Sequence, residues 1–304
     1  MPPQSSAAII DRRLKKLLRR FIPRRIRAAL HGYRSLPARV AQLEGRLAEP
    51  TASAPHSSIN AHERRVFSQN GEDGILEYIF QMVGVTNRTF VEFGVETGRE
   101  CNTANLSLNR GWRGLLMDVD EDAVKAACEY YAEQLGSEAE RVKIVAARVT
   151  PDNINALLRQ NDIAGVIDLL SVDIDGNDLW VWQAIELIQP RVVVIEYNAS
   201  LGPTRSLATV YDAAFNRFDK HPSGLYHGAS LMALARVGRR RGYLLVGCES
   251  TGTNAFFVWE AAAAGSGLGE VTTLQAFYPM QPRTYTLSVD EQFDVIKGLE
   301  FAEI

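Results

Sequence analysis

The sequence predicts an α/β fold: a doubly wound, seven-stranded, mostly parallel sheet with one antiparallel strand. Three observations predict it. Short apolar runs alternate with segments of helical period, which is how parallel strands and the helices covering both faces of their sheet read in sequence. The last two apolar runs, Tyr243 to Cys248 and Ala255 to Trp259, are joined only by Glu249-Ser250-Thr251-Gly252-Thr253. So short a link permits an antiparallel return but holds no crossover helix. The stretch Thr89 to Gly98, T-F-V-E-F-G-V-E-T-G, reads as a buried strand running into a glycine turn. Ligands in open α/β sheets bind at that end of the strands.

The chain of 304 residues divides into a basic helical arm (1–50), a linker (51–65), a domain (66–260) and a C-terminal tail (261–304). In the arm, Leu14, Leu17, Leu18, Phe21 and Ile22 recur at helical spacing among Arg and Lys, and Pro23 and Pro37 break the pattern. Thr51 to Ser58 is polar. The domain opens with a helix over Ile75 to Val83, capped by Ser68 or Asn70, with acids in its first turn. Phe90 and Val91 belong to the first strand, and Asn102 or Thr103 caps a helix ending at Asn109. Gly114 to Asp118 is the second strand, and Asp120, Glu121 and Asp122 open a helix to about Leu135. A third strand covers Val142 to Ala146, and Thr150-Pro151-Asp152 starts a helix to about Gln160. Val166 to Asp173 is the fourth strand, Leu179 to Ile188 a helix, and Val192 to Glu196 the fifth strand. Residues 197–227 read as an irregular insertion, Ala229 to Arg241 as a helix, and Ala261 to Gly269 as a flexible connector.

Composition narrows the class. Cys101, Cys128 and Cys248 are widely spaced with no C-x-x-C, which argues against a disulfide framework or a zinc site and suits a reducing compartment. No apolar run approaches the roughly 18–20 residues needed to cross a bilayer, and no apolar segment of a secretory signal follows the basic N-terminus. The expectation is a cytoplasmic protein. Its net charge of −3 conceals an asymmetry: residues 1–50 carry 12 Lys and Arg against 3 acids, or +9, which leaves −12 for the remainder. A basic amphipathic helix within 11–48 can lie on an anionic surface and hold the protein peripherally at the inner membrane; a solvated or oligomerising arm is the alternative. The rest of the chain has no basic stripe with interleaved aromatics, so nucleic acid is not the expected partner. Nothing in the pattern sets an oligomeric state.

Glu92, Gly94 and Gly98 form E-x-G-x-x-x-G, distinct from the G-x-G-x-x-G that cradles a pyrophosphate. S-adenosylmethionine has no pyrophosphate; it carries an α-amino acid and a sulfonium, which a looser glycine turn with carboxylates suits. Glycine there allows positive φ and close approach of backbone to a ligand. Asp118, ending the second strand, can accept hydrogen bonds from ribose hydroxyls. The alternative is a glycine turn of some other α/β protein, with Glu92 as a helix-capping or salt-bridged acid.

With these residues and the reversed last strand, residues 66–260 resemble the class I S-adenosylmethionine-dependent methyltransferases, with their Rossmann-like methyltransferase fold, and among them most the FkbM-like family. The resemblance implies a cytoplasmic enzyme moving a methyl group to an oxygen, often of a sugar, glycan or secondary metabolite. It also implies Glu92, Gly94 and Gly98 in the cofactor turn and Asp118 as the ribose-binding acid. The arm and the tail lie outside it.

An alcohol does not ionise unaided near neutral pH; it needs a base or a metal. Asp173 and Asp175, in S-V-D-I-D-G-N-D, and Glu196 and Asn198, in E-Y-N, follow neighbouring strands and could supply oxygen ligands to Mg²⁺. The set resembles the ligand positions of metal-dependent O-methyltransferases, with Glu where Asp is commoner and Tyr197 interposed. Without a metal, Asp173 is the base or orients one. Asp178 reads as a helix cap. His227 is a second candidate base because its ordinary pKa lies near neutrality, with a structural histidine as the alternative. Arg205 is either a contact for an anionic acceptor or a solvated loop residue, and Trp180 and Trp182 read as core. Two other functions stay open: a non-catalytic cofactor-binding module, and a membrane-surface adaptor acting through 11–48.

Overall fold

The computed structural model describes residues 58–304, so the basic arm, residues 51–57 and the membrane-surface helix expected within 11–48 lie outside the described residues. The strands are β1 (Thr89–Phe93), β2 (Arg113–Asp118), β3 (Val142–Ala146), β4 (Gly165–Val172), β5 (Ile188–Glu196), β6 (Leu207–Thr209), β7 (Tyr243–Cys248), β8 (Asn254–Trp259) and β9 (Phe301–Glu303). The helices that matter below are α1 (Glu72–Val83), α2 (Ala104–Arg110), α3 (Glu121–Leu135), α4 (Ile154–Gln160), α5 (Asp178–Ala184), α6 (Arg217–Lys220), α7 (Leu231–Arg240), α8 (Glu260–Ala263), α9 (Thr273–Ala276), α10 (Gln281–Thr284) and α11 (Val289–Ile296).

The main sheet has seven strands in the order β3-β2-β1-β4-β5-β8-β7. Pairs among β1 to β5 are parallel, and β8 runs antiparallel to both β5 and β7. This is a Rossmann-like α/β fold. The chain reverses its direction of winding between β1 and β4, and such a switch point opens a crevice beyond the carboxyl ends of the strands. All of β1 and the C-terminal half of β5 are buried, as strands covered on both faces must be. Apolar cores fill both sides of the sheet, one around Trp182 and one around Ile75, Phe90 and Val194. Trp182 sits 5.0 Å from Phe257 and 5.8 Å from Tyr243, centroid to centroid. Gly238 of α7 permits that packing, because a Cβ there would lie 3.0 Å from both Phe257 and Trp182.

Local chemistry moved some element boundaries. Helical spacing predicts a helix through Ile188, yet α5 ends at Ala184 and β5 begins at Ile188. Asn155 Oδ1 accepts the N–H groups of Glu186 and Leu187, and the Arg241 guanidinium donates to the carbonyls of Gln183 and Ile185. Those partners replace helical ones, and pairing with β4 takes over. At the start of α1 the capping position is Gly71, not Ser68 or Asn70. Ser68 Oγ nevertheless accepts the Asp73 N–H from within the turn.

The largest departure concerns residues 197–227 and 261–304. The insertion contains β6, which pairs antiparallel with β9 at the chain's end. Ser200 donates to Gln292, and Arg205 pairs with Asp290 while lying 4.1 Å over the Phe293 ring. Leu201, Leu225, Tyr226 and Ile296 bury one another there. The expected tail therefore folds back over the insertion, and Arg205 anchors it instead of facing an acceptor. Its helices α8, α9 and α10 are four residues each, too short to give a periodic signal. All three cysteines are free, and no helix among the described residues is long and apolar enough to cross a membrane.

Candidate active site

The site has two parts at the carboxyl edge of the sheet. The first is the turn after β1. Gly94, Glu96 and Gly98 have φ of 76°, 47° and 70°. Gly94 donates to the Met117 carbonyl, which ties the turn to β2. The Asp118 carboxylate accepts the Glu96 N–H at 2.7 Å through one oxygen and the Asp120 N–H at 2.9 Å through the other. It is therefore fixed in orientation and still half-exposed, with lone pairs free on both oxygens. Val119 beside it is 52% exposed, an unusual apolar surface next to a fixed carboxylate.

Three of the residues expected to face a cofactor have other neighbours. Glu92 is buried; its oxygens accept the N–H groups of Asn102 and Thr103 and the hydroxyls of Thr103 and Ser171. It thus caps the entry to α2 from β1. Burial raises its pKa, against the pull of those hydrogen bonds. Gly94 is glycine because backbone, not ligand, crowds it: a Cβ there would lie 1.5 Å from the Asp173 carbonyl oxygen. Gly98 packs against α3, where a Cβ would come 2.9 Å from the Tyr131 ring.

The contact at Gly94 joins the turn to the second part, the acids after β4 and β5. Asp178 closes the first loop, Oδ1 accepting the Ile174 N–H and Oδ2 the Gly176 N–H at 2.8 and 2.9 Å. Asp175, at a left-handed φ of 59°, pairs with Arg217 of α6 at 2.7 Å. Glu196 is buried, with Oε2 3.5 Å from His227 Nδ1. Asp173 differs from all of these. It is half-buried, and among the described residues its carboxylate has no hydrogen bond or ion pair. Burial, then the negative charges of Glu196, Asp178, Asp175 and Glu92, hold its pKa well above the usual carboxylate range.

The Mg²⁺ set read from the sequence is not assembled. Asn198 turns its amide nitrogen to the carbonyls of Leu225 and His227 and its oxygen to the Ser200 N–H, while Arg217 holds Asp175. Among the described residues no three His, Cys, Asp or Glu side chains gather in a way that could hold a metal ion. His227 is buried with Nε2 3.1 Å from Arg283 Nη2. A guanidinium only donates, so Nε2 must be the acceptor and the proton sits on Nδ1, facing Glu196. Burial lowers the His227 pKa and outweighs the attraction of Glu196; Arg217 and Arg283 push the same way. For Glu196 burial opposes ionisation, but the neighbouring His227 and the charges of both arginines prevail and hold its pKa low.

Arg217 and Arg283 are the site residues that sequence reasoning missed. Arg283 comes from α10 and donates to Asn198, Ser200 and His227 at 3.4, 3.2 and 3.1 Å. A groove of about 490 Å³ is lined by Val210, Tyr211, Asp212, Ala213, Lys220, Tyr226, Leu299 and Glu300. Asn177, in the loop after β4, holds its rim by donating to the Asp212 carbonyl.

No family model and no curated protein matches the sequence. Solved structures with similarity include an O-methyltransferase from Bacillus cereus bound to SAH, at 17% identity and TM-score 0.39, covering 65% of this chain and 83% of that one. Another is an O-methyltransferase of tomaymycin synthesis from Streptomyces achromogenes bound to SAM, at 14% identity and TM-score 0.38, covering 68% and 91%. A third is an RNA methyltransferase from Salinibacter ruber bound to S-adenosyl-L-homocysteine, at 16% identity and TM-score 0.30, covering 40% and 74%. None of these likenesses bears on function, which is read below from this chain's own residues.

Proposed function

We propose that the protein is an S-adenosylmethionine-dependent O-methyltransferase of the FkbM-like kind, acting on a hydroxyl of a sugar, glycan or secondary metabolite. One observation carries this reading: Asp173, whose carboxylate has no partner among the described residues, packs its backbone carbonyl against Gly94 of the glycine turn. Asp118, held by two backbone N–H groups, suits the ribose hydroxyls, and exposed Val119 offers an apolar face for the adenine. The backbone of 94–98 forms the adjoining wall. Glu92 acts behind that wall by fixing the turn to α2.

When bound, S-adenosylmethionine supplies an electrophilic methyl group on a sulfonium. The chain must position the acceptor oxygen and take its proton. Asp173 is the base: burial and the neighbouring acids raise its pKa, which makes it a stronger proton acceptor than an ordinary carboxylate. Glu196, His227 and Arg283 form a fixed polar floor next to it. The groove lined by Tyr211, Asp212, Lys220 and Glu300 supplies polar groups that suit the hydroxyls of a sugar. No step is assigned to a cation.

The test is calorimetric titration with S-adenosylmethionine in metal-free buffer, followed by acceptor screening for S-adenosylhomocysteine release. Binding with no turnover on any hydroxylated acceptor would favour the non-catalytic module; no binding would sink the reading altogether. The arm is a separate proposal: residues 11–48 tether the enzyme to anionic surfaces. Sedimentation with anionic and neutral vesicles decides it, since equal binding to both counts against a charge-driven tether.

A further inference from the structure

We propose that Arg283, with Arg217 beside it, is an anion-recognition subsite for the methyl acceptor, so that the acceptor carries a carboxylate or phosphate group. The proposal rests on the reading of Asp173 as the base at which that acceptor is methylated.

Several arginines of the domain meet acids: Arg64 and Arg110 pair with Glu77, Arg205 with Asp290, and Arg217 with Asp175, while half-buried Arg241 gives its donors to backbone carbonyls. Arg283 is half-buried, and among the described residues no carboxylate lies within ion-pairing distance of it. Its acceptors are neutral: an amide oxygen, a hydroxyl and an imidazole nitrogen. A guanidinium drawn out of water with no carboxylate in contact is unfavourable, and burial, then the charge of Arg217, pulls the Arg283 pKa down to about 10 against the more distant attraction of Glu196 and Asp175. The groups around it are built to hold it nonetheless. Asn198 is fixed by the carbonyls of Leu225 and His227, and Ser200 by Gln292. Those contacts occupy two Nη1 hydrogens and one on Nη2, leaving the Nε–H and one Nη2 hydrogen without a protein acceptor among the described residues. A planar guanidinium with free donors and a fixed orientation matches the paired oxygens of a carboxylate or phosphate.

The position relative to the base follows from the sheet. Val172 pairs with Ile195, so Asp173 and Glu196 end adjacent strands. Glu196 leads through His227 to Arg283, and Arg217 grips Asp175, two residues from Asp173. An acceptor anchored by its anion at Arg283 would thus lie beside the strand ends that carry Asp173.

Thermal unfolding of the full-length protein, without S-adenosylmethionine, is followed against inorganic phosphate and separately against acetate, with chloride holding ionic strength constant. A saturable rise in Tm with at least one anion is expected. Arg283→Gln should abolish the rise or weaken the apparent affinity about tenfold or more, since a charge-assisted fork is lost. Arg283→Lys, which keeps charge without the fork, should weaken it less and carries the test if the Gln variant does not fold. Arg239→Gln, at an exposed surface pair, should leave it unchanged. Tighter phosphate binding assigns a phosphorylated acceptor, and tighter acetate binding a carboxylate. If Arg283→Gln lowers Tm yet keeps the same anion-dependent rise, Arg283 is only a clamp for the C-terminal segment and the proposal fails. No saturable rise with either anion in the wild type also overturns it. Failure of the cofactor reading would appear separately, as absent S-adenosylmethionine binding with the anion effect intact.

Discussion

The glycine turn and the acidic edge touch at Gly94 and Asp173, yet the chain assembles them in different ways. The turn comes from one continuous stretch, Thr89 to Asp118, whose backbone hydrogen bonds and positive-φ glycines carry most of its shape. The acidic edge draws on residues after β4 and β5, on α6, on the loop before α7 and on α10, and the His227–Arg283 contact alone spans 56 positions. A continuous site is as stable as its local turn chemistry. A discontinuous one exists only once the domain and its C-terminal segment have packed, so its side chains answer to tertiary electrostatics.

Substitution at the junction should have the largest effect. Gly94→Val combines a left-handed φ with a collision against the Asp173 backbone and should cost about 3 kcal/mol or more of stability, enough to lose cooperative unfolding or lower Tm sharply. Gly165→Ala, at a similar φ of 75° but with open space around it, should cost only about 1 kcal/mol. Equal Tm losses in the two would mean that crowding by Asp173 does not matter.

Asp173→Asn should next separate chemistry from folding. We expect kcat to fall by about 10²- to 10⁴-fold, the span typical of a lost general base, with S-adenosylmethionine affinity and Tm little changed. Full activity in this variant would remove Asp173 from the mechanism. Asp118→Ala should do the reverse. It should weaken S-adenosylmethionine binding by about 10- to 100-fold, as expected for losing hydrogen bonds to a charged group, and leave kcat at saturation nearly intact. Unchanged affinity in calorimetry would move the cofactor away from the turn.

The pH dependence sharpens the contrast more gently. The folded-state pKa of Asp173 is raised, so the folded state keeps this proton at pH values where the unfolded chain has released it. Its contribution to stability is complete below the unfolded carboxylate pKa of about 4 and is lost as pH rises through the folded value. Relative to Asp173→Asn, the wild type should therefore lose stability as pH rises above about 4. As a base Asp173 acts when ionised, so kcat/KM should rise with pH along a limb displaced above the ordinary carboxylate range. The smallest expected effect is none: EDTA should leave activity unchanged, because Asn198 and Asp175 are held by protein partners. Inhibition by EDTA with recovery on Mg²⁺ would restore the cation reading.

The legibility of the sequence follows the same division. The alternation of strands and helices, the antiparallel return after Cys248 and the glycine turn after β1 were readable because apolar period, link length and glycine spacing are local quantities. Asp178 was readable as a turn acid for the same reason, although the cap position falls to Asn177 and Asp178 holds the loop N–H groups of Ile174 and Gly176 instead. Glu92 was legible as an acid at a strand end, but its partners Asn102, Thr103 and Ser171 are settled by how α2 and β4 meet β1. His227 was legible as a histidine; its tautomer depends on Arg283, in a segment whose four-residue helices leave no periodic trace.

By itself, then, the sequence determined the sheet, the turn and the set of acids brought to one edge, because alternation of strand and helix and short-range turn chemistry act within a few residues. Only the tertiary structure decided which acid stays unpartnered. Partners commit Glu92, Asp175 and Asp178, His227 faces Glu196, and no hydrogen bond or ion pair reaches the Asp173 carboxylate among the described residues. Charge compensation in a packed domain is a property of distances in space, which spacing along the chain does not encode.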